Sequence, residues 1–430
     1  MVESTYNSKE EDTLSKTKPY TISKQLVMEA YQCVKANRGA AGVDQQSLEA
    51  FDKDLKDNLY KIWNRMSSGT YFPPPVKAVS IAKKSGGERI LGVPTVSDRI
   101  AQTVLKLTFE SLVEPHFHED SYGYRPNKSA LDAVGVTRQR CWRYDYVVEF
   151  DIKGLFDNLD HTLLMKAVRK HTNNKWVILY VERWLKAPMQ MPDGTLIERT
   201  KGTPQGGVVS PVLSNLFLHY VFDVWMGKHH SLKPWCRYAD DGLVHCKTEK
   251  EAQQLLADLK QRFEACGLEL HPEKTKIIYC KDGRRKGEHS DTMFTFLGYT
   301  FRRRTVRNSK DGSRYLGFVP AISSESRKSI QAEMRRWKVH FKTSHTLEDM
   351  AKLYNPFLRG WMNFYGHYSP SSMYPIWRVF NRMLSKWAQR KYQKLYRRKT
   401  RTRKFLEQIA DKHPRLFAHW SITGMAKGFI

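Results

Sequence analysis

Residues 235–246 read Trp-Cys-Arg-Tyr-Ala-Asp-Asp-Gly-Leu-Val-His-Cys. Apolar residues flank Ala239-Asp240-Asp241-Gly242, so the stretch predicts a β-hairpin turning at those four residues. Two adjacent carboxylates at such a tip repel each other unless a cation holds them. Paired aspartates are also ordinary turn chemistry, and context decides between the two.

The same demand arises upstream. Val147-Val148-Glu149-Phe150-Asp151-Ile152 places a carboxylate at the end of an apolar strand, predicted over Tyr146 to Ile152, where an uncoordinated charge is costly. Asp151, Asp240 and Asp241 are then three oxygen donors at two strand ends. Phosphoryl transfer by two divalent ions needs such ligands, with the ions about 3.5–4 Å apart.

Outward from these strands, helix signals begin near Ser23 and an amphipathic pattern runs from Ser47 to Trp63. Tyr71-Phe72-Pro73-Pro74-Pro75 forces an extended connector. Val76 to Ala82, a turn at Ser85-Gly86-Gly87 and Arg89 to Val93 predict a basic hairpin. Helices are predicted over Ser97 to Glu114, His161 to Leu185, Val208 to Trp225 and Glu251 to Cys266, with strands at Lys276 to Tyr279 and Phe294 to Phe301. Beyond about Val306 helical segments rich in Trp, Tyr, Arg and Lys dominate.

Lysine and arginine outnumber aspartate and glutamate by 72 to 44, a net charge of +28 that calls for a polyanionic partner. Roughly +22 of it follows Phe301, which points to a nucleic-acid-binding appendage rather than a solubilising surface. Six cysteines, Cys33, Cys141, Cys236, Cys246, Cys266 and Cys280, lie at no regular spacing, predicting a reduced protein without structural zinc. No secretion signal or membrane span is indicated, and a cytoplasmic location, the bacterial cytosol, is expected.

Taken in order, these blocks resemble the group II intron-encoded reverse transcriptases and maturases. Tyr238-Ala239-Asp240-Asp241 is similar to their YxDD box, and Asp151-Ile152 with Phe156 to their first catalytic strand. Residues 202–211 (GTPQGGVVSP) resemble the PQG segment, 121–126 (SYGYRP) the SYGFRP segment, Lys83 to Pro94 the fingers hairpin and 296–299 (FLGY) the strand that grips the primer. Residues 354–365 (YNPFLRGWMNFY) resemble the thumb, or maturase X, segment, although Trp361, Phe364 and Tyr365 also read as packing.

The resemblance implies that Asp151, Asp240 and Asp241, with the Ile152 carbonyl, hold two Mg²⁺ ions, Mn²⁺ being a substitute. It also implies that Lys83 and Arg89 hold the triphosphate of the dNTP, that Gln205 lies against its sugar or base, and that Phe156 is the steric gate against a 2′-hydroxyl. As residues alone, Lys83 and Arg89 also read as solvated hairpin charge and Phe156 as core. Arg125 and Lys128 either contact template or, for Arg125, brace the fingers. The run Lys386 to Lys404, including Arg390, Lys394, Arg397, Arg398, Arg401 and Arg403 with Trp387, Tyr392 and Tyr396, reads as a basic helix or helix pair for RNA or DNA phosphates, or as a solvated helix face.

The expected fold is α+β, a right-hand polymerase: an N-terminal extension to residue 70, fingers and palm at 71–305, a helical thumb at 306–372 and a basic DNA-binding segment at 373–430. The expected activity is RNA-directed DNA polymerisation on intron RNA template, with a DNA or RNA primer, target DNA and dNTPs as partners, together with assistance to splicing and mobility. A monomer and a homodimer are both open. No His-Asn-His endonuclease segment is recognisable, so second-strand cleavage is not expected. The rival readings are a non-enzymatic RNA-binding splicing maturase and a relative recruited to host defence or repair.

Overall fold

The computed structural model describes residues 18–82, 87–308 and 311–421. Among them the strands are β1 (Val76–Ala82), β2 (Glu88–Val93), β3 (Tyr146–Asp151), β4 (Met189–Gln190), β5 (Leu196–Ile197) and β6 (Trp235–Tyr238). They continue with β7 (Asp241–Cys246), β8 (Lys276–Tyr279), β9 (Met293–Phe296), β10 (Tyr299–Arg307) and β11 (Arg314–Ile322). Helices make up most of the remainder, so the chain is α+β as expected. It divides into two compact units, Met1–Ser129 with Phe150–Val244 and Gln253–Thr275, and Ala130–Glu149 with His245–Ala252 and Lys276–Ile430.

In the first unit β1 and β2 pair antiparallel from Lys77↔Val93 to Ala82↔Glu88, and β4 adds parallel to β1, giving the order β2-β1-β4-β5. β6 and β7 form the predicted hairpin, Tyr238 facing Asp241, beside β3. Phe150 of β3 packs at a tilt against Phe222 and Phe263, with centroids 5.1 and 5.6 Å away, and this aromatic core backs the strand ends that carry the aspartates.

Three expected helices are broken, the first two where a side chain hydrogen-bonds at the break. The Ser47 to Trp63 pattern splits into Leu48–Lys53 and Leu55–Ser67, and the Asn58 side-chain amide donates to the Phe51 carbonyl at the break, 3.0 Å. His161 to Leu185 becomes His161–His171 and Lys175–Lys186, the second capped by the Asn174 side chain. Val208 to Trp225 starts at Ser210 and opens into a π turn over His219–Asp223, which turns Asp223 into the interior.

In the second unit the Tyr146–Glu149 half of β3 pairs with β8, and β9, β10 and β11 form a separate sheet with β10 in the middle. This corrects the expectation of helix beyond Val306: strand continues to Arg307 and returns over Arg314–Ile322 before helices begin at Ser324. The arginine run hid the alternation. The boundary expected at 372/373 is also corrected, because Ile322, Met334, Leu358, Trp377, Leu384, Trp387, Leu406, Phe417 and Trp420 share one buried core. The helices Leu347–Tyr365, Tyr374–Lys391 and Lys399–Lys412 therefore fold together, not as thumb and appendage. Trp361 stacks on Trp337 and Tyr365 packs on Tyr299, as the packing reading expected.

Candidate active site

The tip of the β6–β7 hairpin is held from beneath. Arg237 is fully buried and its guanidinium makes two bonds to Asp223, 2.9 and 2.8 Å, one to Asn215 Oδ1 at 3.1 Å and one to the Ala239 carbonyl at 3.3 Å. Burial alone would raise the Asp223 carboxyl, but Arg237 and His219 outweigh it and hold it below the ordinary range. Ala239 adopts a left-handed φ of 56°, which swings Asp240 out of the strand. Gly242 is required because a Cβ there would strike the Phe150 ring.

Asp151 and the pair converge. The Ile152 amide donates to the Asp240 carbonyl at 3.3 Å, locking the two strand ends together, and the His271 amide donates to the Asp151 carbonyl at 2.8 Å. One Asp151 carboxylate oxygen is ion-paired with Lys274. Burial raises the Asp240 carboxyl, and repulsion from Asp151 adds to it. Burial, then Asp240 and Asp151, push Asp241 up to about 7. Three carboxylates with one ammonium leave the cluster short of positive charge, and hard oxygen donors of this kind suit a divalent cation. Among the described residues no group of three or more His, Cys, Asp or Glu side chains is already gathered as a ligand cluster.

Above them lies a cavity of about 1080 Å³ lined by Asp151, Ile152, Phe156, Asp240, Arg89, Gln205 and Lys274, with Lys153, Arg199 and Lys201 adding cationic wall. Arg89 reaches in from β2 and its Nε donates to Gln205 Oε1, while Gln205 Nε2 donates to Asp157 at 3.2 Å. The turn bearing Gln205 is fixed by glycine: Gly206 has φ +114°, and a Cβ on it would lie 2.6 Å from the Gly92 carbonyl oxygen. The Gly92 amide in turn donates to the Gln205 carbonyl, 2.8 Å. Phe156 is buried with its ring edge-to-face against Tyr124, centroids 6.4 Å apart. Lys83 lies outside the described residues.

Arg125 is corrected as a nucleic-acid contact. Its guanidinium is consumed by Glu114, at 2.9 and 2.7 Å, and by the His118 and Ser121 carbonyls, at 2.6 and 2.8 Å, which is the bracing alternative. Lys128 donates to the Glu119 carbonyl at 2.7 Å from the surface. In the second unit Lys394, Arg397, Arg398 and Arg401 are exposed, and Arg390 is exposed over the Phe341 ring. Arg403 is tied to Glu407 at 2.7 Å, and Trp387 is core, not an interleaved stacking surface.

The sequence reading missed several supports. Gln102 Oε1 accepts the Val208 and Val209 amides, 2.7 and 3.3 Å, and so anchors the glycine-rich turn. Gln102 is held by fully buried Asp98, which also accepts from Tyr71 and Trp184, both at 2.8 Å. The available signal was an aspartate and a glutamine four apart within an apolar helix. Lys274 carried no signal of its own, being one lysine among several after a helix.

The family model for reverse transcriptase (RNA-dependent DNA polymerase) matches residues 81–318, and that for the group II intron maturase-specific domain matches residues 327–405. Group II intron-encoded protein LtrA of Lactococcus lactis subsp. cremoris is 27% identical, the match covering 81% of this chain and 69% of that protein. Protein YkfC of Escherichia coli (strain K12) is 29% identical, over 73% of this chain and 89% of that one. A solved telomerase from Candida albicans, in complex with a fragment of telomeric RNA, is similar at TM-score 0.44 and 14% identity, over 87% of this chain and 67% of that chain.

Proposed function

Because this chain belongs to the reverse transcriptase family, we propose that its polymerase centre is the cluster of Asp151, Asp240 and Asp241 with the cavity above it. The chain is an RNA-directed DNA polymerase of the group II intron type, with roles in splicing and mobility of intron RNA, and reverse transcription of this family depends on divalent metal. The observation that carries the site is that burial, with repulsion from Asp240 and Asp151, raises Asp241 to about 7 beside a cationic cavity lined by Asp151 and Asp240.

Asp151, Asp240 and Asp241, with the Ile152 carbonyl, are the oxygens that would hold two Mg²⁺ ions, for which Mn²⁺ can substitute. Such ions supply activation of the attacking primer 3′-hydroxyl and neutralise the charge gathering on the leaving pyrophosphate. Arg89 answers the triphosphate of a dNTP across the cavity, exchanging its bond to Gln205 for charge-assisted bonds to phosphate oxygens. Gln205, freed, turns to the sugar or base. Phe156, stiffened by Tyr124, excludes a 2′-hydroxyl. Lys274 neutralises Asp151, one of the carboxylates that would hold metal. Lys83 belongs to the same triphosphate clamp by resemblance.

Intron RNA is the template, a DNA or RNA strand the primer, and target DNA a further ligand of the exposed cations Arg390, Lys394, Arg397, Arg398 and Arg401. The domain reading keeps fingers and palm at about residues 71–305 and joins the thumb and the basic segment, whose helices share one core with Ile322. No helix among the described residues is long and apolar enough to cross a membrane, and the bacterial cytosol is the proposed location. Nucleotide titration on an RNA template tests the cavity. Arg89→Ala and Gln205→Ala should each raise KM for dTTP by roughly tenfold with primer–template affinity unchanged; KM values equal to the parent's in both would remove the cavity from the reaction.

A further inference from the structure

The turn that carries Gln205 is fastened along its whole length. The Thr203 amide donates to the Phe156 carbonyl at 2.6 Å, the Gly92 amide donates to the Gln205 carbonyl at 2.8 Å, and Gln102 Oε1 accepts the Val208 and Val209 amides at 2.7 and 3.3 Å. Only the last of these fastenings depends on a side chain. Gln102 Nε2 donates to Asp98 Oδ2 at 2.9 Å, and Asp98 Oδ1 accepts from the Tyr71 hydroxyl and the Trp184 indole, both at 2.8 Å. Asp98 and Gln102 are 1% and 2% exposed, one turn apart on the helix Val96–Val113.

The direction of this chain of bonds follows from donor chemistry. Backbone amides only donate, so the oxygen of Gln102 must face Val208 and Val209 and its NH₂ group must face Asp98. The Trp184 indole also only donates. Asp98 therefore meets donors on both oxygens, an arrangement that suits a carboxylate. Burial raises the Asp98 carboxyl, and the bonds from Trp184, Tyr71 and Gln102 act against that rise. Packing does not call for a carboxylate here. Ile100, Ala101, Val104 and Leu105 already bury this helix, and an apolar residue at 98 would avoid the cost of a buried charge. What the carboxylate adds is orientation: the two ends of a glutamine amide are nearly the same size, and only an acceptor beside Gln102 disfavours the reversed amide.

The Gly92 and Gln102 fastenings lie on one stretch of chain. It comprises β2, which carries Arg89, and the helix that follows, whose Thr95 cap accepts the Asp98 amide at 3.1 Å. Arg89 and the far end of the turn thus share one support, and the Gln205 side chain is bonded between Arg89 and Asp157. Losing the Gln102 acceptor would free the Val208 end of the turn and spoil the aim of Gln205 into the cavity. Asp151, Asp240 and Asp241 stand on β3 and on the β6–β7 hairpin and keep their own supports.

We propose that Asp98 and Gln102 are positioning residues for nucleotide binding: the Asp98 carboxylate orients the Gln102 amide, which through the Val208 and Val209 amides aims Gln205 at the incoming dNTP. The inference rests on the reading of Gln205 as a dNTP contact given above.

The test is a dTTP titration by the full chain on saturating oligo(dT)/poly(rA) with Mg²⁺. Asp98→Asn keeps an oxygen for Tyr71 and Trp184 but turns an NH₂ group toward Gln102, so the Gln102 amide reverses and Val208 and Val209 lose their acceptor. KM for dTTP should rise roughly tenfold while kcat falls less than about threefold. Adding Gln102→Glu restores an acceptor on both sides, and the Asp98→Asn/Gln102→Glu chain should return KM to within about threefold of the parent's. Tyr71→Phe removes a donor from the same carboxylate on the side away from the turn; it should lower the urea midpoint and leave KM unmoved. A parental KM in Asp98→Asn, no recovery in the double variant, or a rise in Tyr71→Phe as large as in Asp98→Asn would overturn the proposal. Should Asp98→Asn fail to fold, Gln102→Met removes the same acceptor and is judged by the same rise in KM. Gln205→Ala separates the two readings. A parental KM there would remove the dNTP role of Gln205 itself, whereas a raised KM there beside a parental KM in Asp98→Asn would overturn the positioning role alone.

Discussion

Two hairpins concentrate charge at one end, and they do so in opposite ways. β6–β7 places Asp240 in and Asp241 beside a two-residue turn, partly buried and coupled to Asp151, with Arg237 fully buried and clamped beneath. β10–β11 spreads Arg302, Arg303, Arg307 and Arg314 along an exposed ribbon where no described carboxylate answers them. Buried charges depend on specific partners, so each residue is individually indispensable. Exposed charges act through a summed field, so each contributes a small and nearly additive share.

Arg237→Met should break this symmetry most strongly. It leaves Asp223 buried without its partner, and urea unfolding should register a loss of about 3–5 kcal/mol. Arg307→Gln, in the other hairpin, should change stability by less than about 0.5 kcal/mol. Equal effects would mean that burial does not separate the two hairpins.

A pH series sharpens the contrast. Asp241 lies near 7 in the folded, metal-free chain, above its ordinary 3.8. Below 7 the site holds a proton that a metal must displace, so Mn²⁺ affinity measured by electron paramagnetic resonance should fall by up to about tenfold per pH unit on going from 7 to 6. The linkage to folding runs the other way. The unfolded chain gives up this proton above 3.8 and the folded chain retains it to about 7, so the metal-free protein should lose stability as pH rises between those values. Mn²⁺ affinity that is flat from pH 6 to 8 would contradict the charge-short site.

How much of this could be read from residues depends on the range over which each signal acts. Asp151, the Asp240-Asp241 pair and the Gln205 turn were legible because strand alternation and turn chemistry are local, and the β1 limits fell where the sequence put them. The hold of Gln102 on the Val208 amide, or of Lys274 on Asp151, spans more than a hundred residues, and no periodicity announces it. For Arg125 the sequence left template contact and bracing both open because two of its three acceptors are backbone carbonyls, which every residue has. The single core from Ile322 to Trp420 was hidden because the basic composition of its helices drew the eye to their solvent faces.

Smaller effects follow at the buried Phe156 ring and at a set of exposed cations. Phe156→Ala should raise incorporation of ribonucleotides by roughly tenfold relative to deoxynucleotides, and unchanged sugar discrimination would return Phe156 to a packing role. Replacing Lys394, Arg397, Arg398 and Arg401 together by Gln should weaken nucleic-acid binding a few-fold and flatten its salt dependence. An unaltered slope would shift the contact surface away from the Lys399–Lys412 helix and its approach.

The most direct measurement is extension of oligo(dT) on poly(rA) with Mg²⁺ and dTTP by the parent chain and by Asp240→Ala. The parent should extend the primer, and the variant, folded and still binding RNA, should lose roughly three orders of magnitude or more in rate. Extension that survives in Asp240→Ala, or a well-folded RNA-binding parent that extends nothing, would contradict the aspartate centre; the second result would leave a splicing maturase without polymerase chemistry.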